Sequence, residues 1–316
     1  MFLLIIYIAF GVPAGLTEYF YLIKKKNKVL IIYALISFSV QFFMVVIPVV
    51  LRQSIKLAMA GMVISSLMRY VWLWVILVRN NEIRFSFSFV RIHIKLGAPL
   101  VVAAFLSGSA QFVDGFIITS RYDESVFAVF RYGARELPLV TLLANALSNA
   151  LLPDFGRKEN LKVNLDILKR NVLKLMHLLF PLTVILLLIS YPLFPILFNP
   201  EFSESATIFN IYLLLIISRL LMPQTILTGL KYTGPIMYAS FFELVINIAM
   251  SLFLVGLLGI AGVAYATVFA YLFEKVYLAI IVRRKLNIRI SEYHPVRYYI
   301  FYSILVVCVF IIVTCF

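Results

Sequence analysis

Residues 112–152 read FVDGFIITSRYDESVFAVFRYGARELPLVTLLANALSNALL. The stretch is mostly apolar, and it is interrupted only by Asp114, by a short charged break at 121–124 and by the segment FRYGARELP at 130–138. An ionisable group in the hydrocarbon of a bilayer costs about 3 kcal/mol or more, so it normally faces a polar cavity and marks a pathway. The stretch therefore predicts membrane-spanning segments, and residues 130–138 are the first place to look for function.

The composition of the whole chain extends this prediction. Of the 316 residues, 63% are hydrophobic and only 13% are charged, and the mean hydropathy is +1.03. About 20 apolar residues cross the hydrocarbon as a helix, and no alternating strand pattern is present, so we predict an all-α integral membrane protein. Ten spans are predicted, with soft edges: 1–23, 29–51, 57–78, 97–119, 125–153, 171–198, 205–229, 232–255, 260–282 and 298–316.

The net charge of +14 is explained by topology. Lysine and arginine gather in alternate connections, which is the positive-inside pattern of membrane proteins. This pattern predicts cytoplasmic basic connections, an amino terminus outside, and no nucleic-acid partner. The basic connections are those after the first, third, fifth, seventh and ninth predicted spans: 24–28, 79–96, 154–170, 231 and 283–297.

Several kinds of chemistry have no signal in the sequence. There is no GxxxxGK[ST] phosphate loop, and none of the three histidines, His93, His177 and His294, lies at metal-ligand spacing from cysteine or carboxylate. We therefore predict no cofactor, no metal and no enzyme activity. A membrane acyltransferase or polymerase remains an alternative, but it would need a buried histidine beside a carboxylate or a sizeable external loop.

The fifth predicted span carries a polar face. At 100° per residue, six residues share one direction if the span is one helix: Arg131, Arg135, Pro138, Leu142, Asn145 and Asn149. Glu136 points away from that line and is expected to pair with a neighbouring helix. The two arginines either line a pathway or form an internal salt bridge that fixes packing.

The fourth predicted span has a second polar face, made by Ser107, Gln111 and Asp114. Asp114 either pairs with Arg131 or Arg135 or binds a coupling proton or sodium ion, and pairing is favoured.

The later spans hold further polar groups. Ser240, Glu243, Asn247 and Ser251 recur every three or four residues on one face of the eighth span, and Glu243 is a second ion-coupling candidate. Arg219 in the seventh span is equally consistent with binding and with packing. Three other charged residues are interpreted as anchors near the inner ends of helices: Arg69, Glu274 and Lys275. Glu18, on the cytoplasmic side of the first span, is a weaker ion-coupling candidate.

The run from GAPLVVAAFLSGSAQFVDGF to NALLPDFGR, together with LLFPLTVILLLISYPLFPILFNPEFSESATIF, SRLLMPQTIL and GIAGVAYATVFAYLFEKVYL, resembles Wzx-like polysaccharide flippases. These belong to the multidrug, oligosaccharidyl-lipid and polysaccharide exporter superfamily. The resemblance implies two bundles of six helices around a central cavity, often with extra helices at the end. It also implies alternating access, with a polyprenyl-diphosphate-linked oligosaccharide moving from the inner to the outer leaflet.

The chain departs from that pattern because only three predicted spans precede the run that opens the second bundle. We therefore expect an amino-terminally truncated exporter, which divides as follows. Residues 1–78 would be a remnant of the first bundle, 79–96 a cytoplasmic linker, 97–282 the second six-helix bundle, and 283–316 a cytoplasmic loop with one added helix.

The resemblance implies export across the bacterial inner membrane for surface polysaccharide biosynthesis, with membrane lipids and the lipid-linked oligosaccharide as partners. Arginine offers forked donors to phosphate oxygens. The expected binding residues are Arg131, Arg135, Arg219, Asn145, Asn149 and Gln111. The expected ion-coupling residues, for a proton or a sodium ion, are Asp114, Glu243 and Glu136. A drug or cation exporter of the same superfamily is the alternative, and it is disfavoured by the surplus of positive charge expected in the cavity.

Overall fold

The computed structural model describes residues 2–80, 86–156, 160–198 and 200–315. Every regular element in these ranges is helical, with no β-strand among them, as the sequence predicts. The chain divides into two compact units, residues 1–87 and 88–316.

In its described residues, 2–80 and 86–87, the first unit contains four helices: α1 (Phe2–Ala14), α2 (Leu16–Ile23), α3 (Asn27–Val50) and α4 (Ile55–Asn80). The helix α4 packs against both α1 and α3. Arg69 on α4 forms an ion pair of 3.0 Å with Glu18 and donates to the Tyr33 hydroxyl at 3.3 Å. The sequence analysis treated Arg69 as an anchor and Glu18 as a separate, weaker candidate, whereas the structure joins them in one partly buried ion pair.

The rest of the chain contains eleven helices within the described residues, besides a 3₁₀ turn at Pro200–Phe202. They are α5 (Phe87–Thr119), α6 (Glu124–Gly133), α7 (Pro138–Phe155), α8 (Leu161–Leu197), α9 (Ser203–Leu213), α10 (Leu215–Arg219), α11 (Pro223–Gly229), α12 (Gly234–Leu258), α13 (Ile260–Leu286), α14 (Ile290–Tyr293) and α15 (Val296–Cys315). The helices α12 and α13 pack along each other, and α8 packs against α7, α9 and α15.

Eight described segments are long and apolar enough to cross a bilayer, and a ninth is the bent pair Ser203–Arg219 and Pro223–Gly229, with a 46° bend. The fifth predicted span is the exception. It is not one helix, because α6 ends at Gly133 and α7 begins at Pro138.

Proline causes both breaks. A proline lacks the N–H group of a helical bond, and it favours an extended conformation in the residue before it. Leu137 is accordingly extended at ψ 110°, and Pro138 is the first residue of α7. Pro223 begins α11 in the same way, after a non-helical Met222.

The contact between α12 and α13 depends on the absence of a side chain at Gly262. A Cβ atom there would overlap the backbone carbonyl of Leu254. Small residues allow such close approach between membrane helices, where packing replaces the hydrophobic effect as the driving force.

The substitution Gly262→Ala is therefore expected to lower the free energy of unfolding by about 2 kcal/mol through overpacking. The measurement is the thermal midpoint of the purified chain in detergent. Gly97→Ala is the matched control, because no atom lies within 4 Å of a Cβ at Gly97. Equal midpoints for the two variants would contradict the tight contact.

Candidate functional site: a polar cavity beside two broken helices

A cavity of about 640 Å³ lies within the second unit. Its walls come from α5, α7, the break between α10 and α11, α12 and α13. Its polar and charged lining consists of Ser107, Gln111, Thr141, Asn145, Ser148, Asn149, Arg219, Gln224, Thr225, Thr228, Ser240, Tyr271, Glu274 and Lys275. Such a lining inside membrane-spanning helices is suited to holding a polar group away from lipid.

Four of the predicted binding residues meet at this cavity: Gln111, Asn145, Asn149 and Arg219. Gln111 reaches it from α5, the two asparagines from one face of α7, and Arg219 from the end of α10. Part of each polar face predicted on the fourth and fifth spans therefore lines the same cavity.

Arg131 and Arg135 are not among the residues that line the cavity. Both side chains are exposed in the second unit, and neither has an ion-pair partner among the residues that the structure describes. The predicted common face with Asn145 and Asn149 was wrong, because α6 ends at Gly133 and the helical register is lost before α7 begins. Their role in substrate binding stays a prediction.

An ion pair joins the two helix breaks. Arg219 donates from Nη2 to Glu136 Oε2 at 2.8 Å and from Nε to Glu136 Oε1, so the guanidinium and the carboxylate meet through two hydrogen bonds. The Tyr271 ring lies 4.2 Å from the guanidinium carbon, within the range of a cation–π contact. Glu136 thus pairs with a neighbouring span, as the sequence predicts, although it lies in the break between α6 and α7 and not in a helix.

A second ion pair lies on α13. Lys275 Nζ is 2.8 Å from Glu274 Oε2 and donates to Gln224 Oε1 on α11 at 3.3 Å. The sequence interpretation of these residues as inner anchors missed their place in the cavity lining. The signal was available, because the EK pair falls well inside the apolar run AYLFEKVYL.

The polar stripe of α12 is buried along its whole length, as the spacing of Ser240, Glu243, Asn247 and Ser251 predicts. Glu243 is 1% exposed, and its Oε2 accepts a hydrogen bond of 2.8 Å from Ser107, which lines the cavity. Its Oε1 has no hydrogen-bond partner in the described structure.

Asp114 does not pair with Arg131 or Arg135, so the favoured sequence interpretation was wrong. The carboxylate is 2% exposed, and its Oδ2 accepts from the Thr267 hydroxyl at 2.8 Å. Asn247 donates to the same hydroxyl at 3.0 Å, and Tyr212 also faces the carboxylate. The reason is geometric: α5 places Asp114 against α12 and α13, while both arginines lie exposed on another segment.

Three buried oxygens on the elements that meet here have no hydrogen-bond partner in the described structure: Asp114 Oδ1, Asn247 Oδ1 and Ser251 Oγ. Asp114 and Asn247 both bond Thr267, and Ser251 lies one helical turn after Asn247 on α12. Unpartnered buried oxygens are rare in folded proteins, and each calls for an explanation. We call these residues and Thr267 the oxygen pocket. Oxygen donors with one carboxylate suit a small hard cation. No cluster of three or more His, Cys, Asp or Glu side chains suited to a metal occurs among the described residues.

The segment between α13 and α15 holds a buried histidine outside the membrane spans. His294 is fully buried, neither ring nitrogen has a hydrogen-bond partner in the described structure, and its ring meets Tyr299 edge to face at 4.8 Å. Burial, together with the positive charge of Lys169, lowers the pKa of His294 to about 4. The imidazole is therefore neutral in the folded protein at neutral pH.

Acidification is expected to destabilise this segment. His294 has an ordinary pKa near 6.5 once unfolded, so below that pH the unfolded state binds the extra proton and gains stability. We expect a loss of about 2 kcal/mol between pH 7 and pH 5. Hydrogen exchange of residues 287–296 measures it. The variant His294→Phe should lack this acid-induced loss of stability. His93→Gln, which changes an exposed histidine, is the control and should retain the loss. An unchanged loss in His294→Phe would contradict its assignment to His294.

Comparison with known proteins identifies the family to which this arrangement of helices belongs. The family model of the lipid II flippase MurJ matches residues 101–316, which is well over half of the chain. The chain belongs to the lipid II flippase MurJ family. Flippases of this kind are transporters and not enzymes, in agreement with the sequence prediction.

Solved structures show the same fold. The lipid II flippase MurJ in an inward closed conformation matches with a TM-score of 0.57 and 17% identity, over 87% of this chain and 59% of that chain. A MATE mutant matches with a TM-score of 0.61 and 14% identity, over 81% and 62%. MATE in a straight conformation matches with a TM-score of 0.60 and 14% identity, over 79% and 60%. No curated protein matches the chain significantly.

Membership of the MurJ family, together with the fold shared with the MurJ and MATE structures, supports the exporter superfamily expected from the sequence. The chain is a multi-pass membrane protein. The matching family is that of MurJ, whereas the sequence resemblance pointed to Wzx-like flippases. The chain spans about three fifths of the length of the solved structures that it matches.

Proposed function

We propose that this chain takes part in flipping a lipid-linked, diphosphate-bearing saccharide across the bacterial inner membrane by alternating access. The observation that carries the proposal is the polar cavity at the two helix breaks. Discontinuous membrane helices commonly build the substrate sites of transporters. Membership of the lipid II flippase MurJ family supports the same substrate class.

In this proposal, residues 97–282 act as the six-span second bundle of the exporter fold. The spans are α5, the broken pair α6 and α7, α8, the broken segment α9 to α11, α12 and α13. Residues 1–78 act as three helices of the first bundle, and α15 is the added helix.

The cavity faces the cytoplasmic side in this proposal. Its lining on α7 runs towards the basic connection at 154–170, and its lining on α13 runs towards Arg283, Arg284 and Lys285. Basic connections lie in the cytoplasm by the positive-inside pattern, which also puts the amino terminus of this chain outside. The cavity is therefore placed to receive a head group from the inner leaflet.

The saccharide could be that of lipid II, which the family name carries, or an oligosaccharide for surface polysaccharide, which the sequence resemblance favours. Both are lipid-linked saccharides, and the cavity side chains do not separate them. The assay below therefore uses both as substrates.

A cation exporter is a second candidate, because the structure removes the reason for disfavouring it. Arg219 and Lys275 are both paired with carboxylates, and Glu243 adds a third carboxyl group, so the cavity has no surplus of positive charge. Protection of the chain from thermal unfolding by cationic dyes, compared with polyprenyl diphosphates, separates the two candidates.

Transport in this proposal is coupled to a cation at the oxygen pocket. Asp114 supplies the carboxylate, and the neutral oxygens of Asn247, Ser251 and Thr267 complete a set suited to a sodium ion. This develops one of the two roles that the sequence left open for Asp114.

The test is a flipping assay with the full chain in proteoliposomes, using fluorescent lipid II and a fluorescent undecaprenyl-diphosphate oligosaccharide. The variant Arg219→Gln/Lys275→Gln is expected to reduce flipping at least tenfold, because both cations of the cavity are lost. The variant Arg131→Ala/Arg135→Ala tests the sequence-based assignment and is expected to keep flipping. The opposite pattern would move the head-group site to Arg131 and Arg135, and wild-type chain without flipping of either lipid would refute the proposed activity.

A further inference from the structure

Two ion pairs account for four of the charged side chains at the cavity. Glu136 neutralises Arg219 through two hydrogen bonds, and Glu274 neutralises Lys275 at 2.8 Å. Glu243 is the fifth ionisable group, and its hydrogen-bond donor is the Ser107 hydroxyl, with no ion pair to it among the described residues. A buried carboxylate without a cation partner is costly, so a neutral, protonated Glu243 gives the cluster zero net charge.

An anionic head group entering this cavity meets two cations that are already occupied. The pair of Arg219 and Glu136 is held by two parallel hydrogen bonds and by the Tyr271 ring. The pair of Lys275 and Glu274 joins adjacent residues, and Lys275 has one further weak partner, the Gln224 amide oxygen at 3.3 Å. Lys275 is therefore the easier cation to release.

We propose that Lys275 binds the phosphate of the head group, and that a proton taken up by Glu274 releases Lys275 for this contact. The proton comes from water and converts the Glu274 carboxylate to the neutral acid, while Lys275 remains an ammonium ion. One negative charge is removed from the cluster as the anion enters. This inference rests on the proposed function, because it assigns the residues that hold the diphosphate.

The groups that face Glu274 and Lys275 fit this step. Glu243 on α12 is neutral in the balance described above, so Glu274 is the ionised carboxylate that holds Lys275. Arg219 on α10 and Tyr271 on α13 lie in the same lining, with Glu136 bound to Arg219. Gln224 on α11 and Ser107 on α5 are neutral, so they supply hydrogen bonds without opposing the proton.

The linkage predicts tighter anion binding at lower pH, by up to tenfold per pH unit while one proton is taken up. The probe is farnesyl diphosphate, titrated calorimetrically into the full chain in detergent between pH 6 and pH 8. Two buffers of different ionisation enthalpy count the protons taken up. The diphosphate itself titrates in this range, so the quantity compared is the pH dependence of binding in wild type and in each variant.

Glu274→Gln mimics the protonated acid and is expected to bind more tightly than wild type at pH 8, with the pH slope reduced by one proton. Lys275→Gln is expected to weaken binding at least tenfold, and Lys275→Arg to retain it. Glu18→Gln is the matched control, because it makes the same change in the ion pair of the first unit and should keep the slope.

A wild-type slope that persists in Glu274→Gln would overturn the inference, and so would loss of the slope in Glu243→Gln alone. In both cases diphosphate binding itself would stand, and the proposed function with it. Absence of farnesyl diphosphate binding by wild type at every pH would overturn both.

Discussion

Replacement of Arg219 by alanine is expected to lower the free energy of unfolding of this chain by about 3 kcal/mol and to weaken head-group binding, because one of the two cations of the cavity is lost. The substitution leaves Glu136 without its cation, and breaking a buried pair typically costs about 3–5 kcal/mol. The two side chains are 22% and 21% exposed, at the cavity, so the lower end of that range applies. Thermal unfolding in detergent and binding of farnesyl diphosphate measure the two effects.

The double variant Glu136→Gln/Arg219→Gln separates stability from binding. It removes both charges together, so it should recover most of the lost stability while binding remains impaired. Arg131→Ala is the matched control, because it removes an exposed arginine that has no ion-pair partner among the described residues. Additive losses in the double variant would contradict a direct pair between the two breaks.

Replacement of Asp114 by asparagine is expected to abolish a sodium-dependent stabilisation of about 2.7 kcal/mol, the value for a cation present at a hundred times its dissociation constant. The wild-type chain should unfold at a higher temperature in sodium chloride than in choline chloride, because the bound ion satisfies the oxygens that have no partner in the oxygen pocket. The variant should unfold at the same temperature in both salts, since it lacks the carboxylate.

Asp123→Asn is the control for this experiment. Asp123 caps α6 in a connection, where hydrogen bonds from the Val126 amide and the Ser125 hydroxyl lower the pKa of its carboxyl group. Loss of this carboxylate should change the unfolding temperature by the same amount in sodium chloride and in choline chloride. A wild-type chain equally stable in sodium and choline would refute a sodium site, and a stabilisation that followed pH in place of sodium would assign the pocket to a proton.

Hydropathy alone was sufficient to predict most of the helices. Long apolar runs specify membrane helices because an unpaired backbone group in lipid is so costly that the chain has few alternatives. The buried stripe from Ser240 to Ser251 was predictable for a related reason, since α12 is one unbroken helix and its periodicity holds from end to end.

The prediction failed where the periodicity was interrupted. The shared face of Arg131 and Asn145 assumed a continuous helix, and Pro138 ends that continuity. The residue pairs Leu137–Pro138 and Met222–Pro223 were visible in the sequence, and the conformational rule for the residue before proline would have located both breaks.

The pairing of charges was the part that sequence could not supply. Glu136 and Arg219 are 83 positions apart, and Ser107 and Glu243 are 136 apart. Each partner was recognisable as a polar group in a span, but which groups meet is decided by how the helices pack. Lys275 was visible as a charge well inside an apolar run, but its position along the helix does not show which cavity or which partner it faces.

The early end of α6 bears on how the chain is inserted during synthesis. Ten helical residues rise only about 15 Å, half of the hydrocarbon thickness, so α6 cannot cross a bilayer alone. Its packing partner is α9, against which Gly133 lies so closely that a Cβ atom would overlap the Ser205 carbonyl. The ribosome reaches α9 only after it has translated all of α8. The contacts that hold α6 against α9 can therefore form only after α8 and α9 have been synthesised.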